Sequence, residues 1–191
     1  MSSAYSSATK GSLVLNVPVV YFGAVLTGTT VSAGTKFGLT EGGVDFDPGK
    51  VERQVTGDGI RAPIAGLEYV IGYNSVMKFK IKEIGSSNIA LLEPGSTSET
   101  VGSATTYTPI ACATLYTSGD YLEDVMAVGQ RGDGGLFVVH LPVAKVNKWK
   151  LDTKDKVEGM LDVELTGYLD GTEAETSTDG APFRLIDVVG S

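Results

Sequence analysis

The segment Val157 to Asp170, VEGMLDVELTGYLD, alternates for fourteen residues. Val157, Gly159, Leu161, Val163, Leu165, Gly167 and Leu169 form one series. Glu158, Met160, Asp162, Glu164, Thr166, Tyr168 and Asp170 form the other, which is mostly acidic or polar. Period-2 patterning puts the two series on opposite faces of an extended strand. An average strand has about five or six residues. A chain holding so long a two-faced strand is committed to a sheet with one buried face and one charged face, and the acidic series reads as the solvent side.

The same period recurs elsewhere, and helical periodicity is scarce. In VMKFKIKEI, Met77, Phe79 and Ile81 oppose Lys78, Lys80 and Lys82. VERQV alternates around Arg53. EDVMAVGQ and GLFVVHLPV read as strands joined by a Gly-rich turn at Arg131 to Gly135, KWKL continues toward the long strand, and FRLIDVV reads as a closing strand. One helix is expected in SSNIALLEPG, with Ser86 and Ser87 as N-caps and Pro94-Gly95 as the stop. The segment GSTSETVGSATTYTP reads as loop. The expected fold is an all-β or β-rich sandwich with one short helix. Residues 1–12, Ser-rich and polar, form an expected flexible segment, and 13–191 a single domain.

With 191 residues, 42% of them hydrophobic, the chain can bury a core without a staple. Its single cysteine, Cys112, leaves no internal disulfide. A net charge of -8 disfavours tight phosphate binding, which needs clustered lysine and arginine. The apolar run Leu13 to Leu26 contains Asn16 and Pro18 and is too short to span a bilayer, so it reads as a buried extended segment of a soluble protein.

Motifs of reaction chemistry are sparse. The lone His140 lies within an apolar strand pattern, and one His with one Cys cannot furnish a four-ligand zinc site. GGVDFDPGK has neither phosphate-loop spacing nor the calcium-loop pattern, which would need Gly at position 50 and Glu at 56. It reads as a turn at Pro48-Gly49. The Arg131-Gly132-Asp133 tripeptide reads as part of a hairpin. No catalysis, cofactor or metal is expected.

One region resembles a known family. Thr35 to Gly85 contains a Gly-Leu-Thr-x-Gly-Gly entry (Gly38 to Gly43), a charged strand, a DG-x-R-x-P-x-x-G loop (Asp58 to Gly66) and a lysine-rich alternating strand before a short helix. Towards the C-terminus, LPVAKV leads through Lys154 to Lys156 into the long strand ending in YLD. In pattern and order, over about residues 35–95 and 120–190, this resembles the major tail tube proteins of tailed bacteriophages. The resemblance implies subunits that are each a β-sandwich or split barrel with a short flanking helix, set in hexameric rings whose inner sheets join into one β-barrel around a channel. The rings stack around a tape-measure protein, meet tail terminator and baseplate proteins, and pass DNA without specific binding. The setting would be the virion tail, after assembly in the host cytoplasm.

Under this reading Glu158, Asp162 and Glu164 are candidates for the lumen, where acidic groups would repel a passing polyanion. The lysines of 78–82 are expected to point outward or to pair with acids across strands. A projecting hairpin and loop between Asp45 and Gly66 is the candidate stacking element. It carries Asp45, Asp47, Lys50, Glu52, Arg53, Asp58 and Arg61, a mixed-sign set suited to fixing register with a neighbour. Competing readings are a tail terminator and a soluble β-sandwich binding or adhesion module, although Trp149 and the scattered tyrosines suggest no aromatic platform.

Overall fold

The structure is a computed structural model. It describes residues 18–189 apart from 29, 33, 39, 56–64, 84, 94–95, 109–114, 155–156 and 170–179. The strands are β1 (Val19–Phe22), β2 (Val25–Thr27), β3 (Thr30–Ser32), β4 (Thr35–Lys36), β5 (Thr40–Asp47), β6 (Lys50–Gln54) and β7 (Glu68–Tyr73). After β8 (Val76–Ile81) comes the helix α1 (Ser86–Leu92), then β9 (Thr97–Val101), β10 (Ala104–Thr108), β11 (Leu122–Gln130), β12 (Leu136–Lys154), β13 (Val157–Tyr168) and β14 (Arg184–Val188). The chain is therefore all-β, with one short α-helix among the described residues.

Eight strands form one antiparallel sheet in the order β4-β1-β11-β12-β13-β8-β5, with β14 also on β12. The 19-residue β12 joins two halves. Its first part runs between β11 and β14, and its second part runs beside β13. The longest strand is thus β12, and the segment expected to be longest is the 12-residue β13. Two local facts hide β12 in the sequence: Pro142 interrupts its apolar run, and a register shift between Val146 and Lys148 breaks its alternation.

The sheet folds over on itself like a sandwich. Val20, Val125 and Ala127 from one half share a core with Met77, Phe79, Ile81, Leu161, Val163 and Leu165 from the other. Phe37 ties the halves together, lying edge-on to Phe22 at 6.5 Å and to Phe79 at 5.4 Å. Each fully buried side chain of this size contributes roughly 1.5–3 kcal/mol of burial. A smaller cluster of Ala24, Met126 and Val138, with Leu26 and Val31 of the β2–β3 hairpin, covers the other side of the first half.

The helix forms where expected, but Gly85 is its N-cap and no side chain caps it; the serines lie inside the first turn. Leu92 anchors the helix to the core. The segment expected to be loop after it is the β9–β10 hairpin, turning at Gly102 with φ +66°. Its Thr-rich alternation carried the strand signal. The Arg131 turn is a tight hairpin, closed by Arg131 N–H to the Gly135 carbonyl at 2.9 Å. Residues 1–17, Pro94-Gly95 and Cys112 lie outside the described residues.

Candidate functional site

The second half of the sheet, β12-β13-β8-β5, has one face in the core and one in solvent. On β13, Leu161, Val163 and Leu165 are buried, so Asp162 and Glu164 point outward, and Glu158 lies exposed farther along the strand. Antiparallel pairing sets Glu164 opposite Lys78 and Asp162 opposite Lys80. The lysine series and the acidic series, read from the sequence as two alternative faces, are therefore neighbouring rows of one face. Their expected cross-strand pairing is realised. Lys78 lies 3.4 Å from Glu164 and Lys80 lies 3.6 Å from Asp162. Lys82 bridges Glu158 at 3.0 Å and Glu41 at 2.9 Å.

The charge alternates strand by strand. β5 presents Glu41, Asp45 and Asp47. The β8 row presents Lys78, Lys80 and Lys82, β13 presents its three acids, and β12 presents Lys148 and Lys150 opposite Glu164 and Asp162. The wall is thus mixed in sign rather than acidic. It is also concave: side chains from all four strands line an open hollow of about 420 Å³.

The Glu164 carboxyl is held below the usual carboxylate value, first by the hydrogen bond from Asn147 Nδ2 at 2.8 Å and then by Lys78 and Lys148. Asn147 sits at the β12 register shift, so the irregularity aims an extra donor at this acid. Hydrogen bonds to Glu41 and Glu158 raise the Lys82 ammonium. A depressed folded-state value stabilises the fold above the ordinary 4.5, and that stability is lost as pH falls through the folded value. Glu164→Gln is expected to lower the melting temperature at neutral pH by roughly 1–3 °C. Thermal scans at descending pH should show that gap closing below 4.5. A gap unchanged in strong acid would mean that packing, not charge, sets the difference.

Both edges of this half-sheet are open. Among the described residues, no strand pairs with the outer side of β5, or with residues 145–154 of β12 on the side away from β13. The β12 edge also exposes Trp149 and Leu151 on its inner side, at 37% and 47%. Trp149 Nε1 donates to Glu93 Oε1 at 2.6 Å, tying the edge to the end of α1.

The expected hairpin takes a different form. Asp45 and Asp47 belong to β5, and Asp47 Oδ1 accepts the Gly49 N–H at 2.9 Å to set the turn. Lys50, Glu52 and Arg53 lie on β6, which pairs with β7 as a separate two-stranded arm. Lys50 and Glu52 form an ion pair on it, raising the Lys50 ammonium. Asp58 and Arg61 lie outside the described residues. Tyr69, Val70 and Ile71 are all exposed, so both faces of the arm are uncovered there, and only at its base does Tyr73 pack edge-on against Phe183 at 5.5 Å. An isolated ribbon of this kind is marginal in water. The sequence clue was EYVI, a β-branched and aromatic run beside the polar VERQ, which marks the second strand of the arm.

Elsewhere, His140 is buried and shares a 2.9 Å hydrogen bond with Asp124, whose φ is +49° although the β11–β12 register runs on unbroken past it. The Arg131 guanidinium pairs with Asp187 and Asp133, so the tripeptide is folded into its own hairpin. Three tyrosines do come together: Tyr121 stacks edge-on against Tyr168 at 5.5 Å and lies 6.4 Å from Tyr116. Lys145 covers the Tyr116 ring at 3.5 Å, and the rings meet edge-on or tilted rather than in one plane. The chain matches no protein-family model, and no curated protein matches its sequence.

Proposed function

We propose that this chain is the repeating subunit of a closed ring that stacks into a hollow tube, in the manner of bacteriophage tail tube proteins. The observation that carries the reading is the half-sheet β12-β13-β8-β5 with two open edges. Exposed edges promote uncontrolled association unless they are covered. Successive strands alternate in direction and there are four of them. A rotated copy therefore sets its β12 antiparallel to β5, and the ladder continues without a mismatch. A rotation that closes gives a ring without edges. The hollow on the charged face supports turning that face towards the channel, which puts Glu158, Asp162 and Glu164 on its wall beside their lysine partners.

The family resemblance supplies the rest: six copies per ring, a tape-measure protein within, terminator and baseplate proteins at the ends, and DNA in transit. A wall with paired charges offers a polyanion few free cations, and each free cation would add affinity and slow passage. The β6–β7 arm is the element that reaches the next subunit or ring. No step of this function needs catalysis or a cofactor.

Trp149, the sole tryptophan, lies at the β12 edge and reports on this contact. Its emission is expected to shift to the blue as protein concentration rises, in step with light scattering. Constant emission with monomer scattering throughout would overturn the proposal.

A further inference from the structure

The charges on the concave face are not equally satisfied. Lys78, Lys80 and Lys82, in the interior, all have acidic partners within 4 Å. Asp45 on the β5 edge and Lys148 and Lys150 on the β12 edge form no ion pair within 4 Å among the described residues, Lys148 acting on Glu164 only from farther away. All three are exposed. Asp45 is set opposite Lys78, whose ammonium is turned to Glu164 on the other side. The unpaired charges thus collect at the two open edges, negative on one and positive on the other.

We infer that Asp45 of one copy pairs with Lys148 and Lys150 of the next, and that this contact selects head-to-tail joining of the edges. It rests on the ring reading and specifies how that ring is assembled. Joining β5 to β12 continues the alternation of acidic and basic rows across the boundary. Joining β5 to β5 sets acid beside acid, and joining β12 to β12 sets lysine beside lysine. Like charges directly opposite are destabilising, whereas opposite charges fix partner and register. Asp152, farther along β12, has interactions of its own within the subunit.

The test uses two full-length variants, Asp45→Lys and the double variant Lys148→Asp/Lys150→Asp. The first carries positive charge at both edges and the second negative charge at both. Circular dichroism checks that each is folded, as expected for substitutions at exposed positions. Each alone is expected to need at least about tenfold more protein to assemble than wild type. An equimolar mixture is expected to recover assembly, with the two variants alternating around an even-numbered ring. The triple variant carrying all three changes should assemble alone. If single-edge variants assemble at the wild-type concentration, or mixing and the triple variant rescue nothing, the pairing is wrong while the ring reading stands. If wild type does not assemble at any concentration, both fall together.

Discussion

Removing the β6–β7 arm is expected to leave a folded subunit that cannot build long tubes. The cut follows from the backbone. Asn74 N–H donates to the Gly49 carbonyl at 2.9 Å, so the chain is already close to itself where the arm leaves β5 and β8. Replacing 50–73 with an Asn-Gly turn should close β5 and β8 into a simple hairpin. Shortening 47–61 instead would cut β6 away and orphan β7, because those strands pair with each other. Apart from Tyr73, whose ring lies edge-on to Phe183 at 5.5 Å, the arm's apolar residues contribute little to the subunit core, so circular dichroism should stay near wild type and the melting temperature should fall by only roughly 2–6 °C. Tube length in micrographs should collapse to single rings or short stacks. Wild-type tubes from the trimmed chain would show that the arm plays no part in stacking.

Gly167 is a second position where substitution should have a large effect, here on stability. It lies in β13, and a Cβ there would sit 2.4 Å from Ser75 Oγ, 2.8 Å from the Pro182 carbonyl and 3.2 Å from Leu141 Cδ2. Ser75 is fully buried and its carbonyl accepts the Gly167 N–H at 3.0 Å, so the two segments cannot separate without losing that bond. Gly167→Val should cost about 3 kcal/mol or more, lowering the melting temperature by roughly 6–12 °C. Adding Ser75→Gly should recover part of the loss, since the Pro182 carbonyl remains in the way. A melting temperature unchanged by Gly167→Val would mean that the packing is looser than these distances imply.

The strand content was legible because one face is buried. Leu161, Val163 and Leu165 on β13, and Met77, Phe79 and Ile81 on β8, face the core, so selection for burial wrote period-2 alternation into the sequence. Register is a different matter. Nothing local tells Lys78 that Glu164 will stand beside it, 86 positions later, so the two charged series read as rival faces until pairing brought them together. The arm was half legible for the same reason: its turn signals were local, whereas β6 and β7 pair across more than a dozen intervening positions of sequence. The continuity of β12 was hidden by Pro142 and the Asn147 irregularity. The helix was found, but its cap was misassigned because Gly85 supplies only backbone in the extended conformation.

The open edges were not legible at all, since an unpaired strand and a paired one have the same composition. They carry the central claim, that copies of this chain join β5 to β12 into a ring. Electron microscopy of the purified full chain over a range of concentrations tests it most directly. Rings with a central channel that grow into tubes at higher concentration are expected. Separate compact particles at every concentration, with no ring among them, would contradict it.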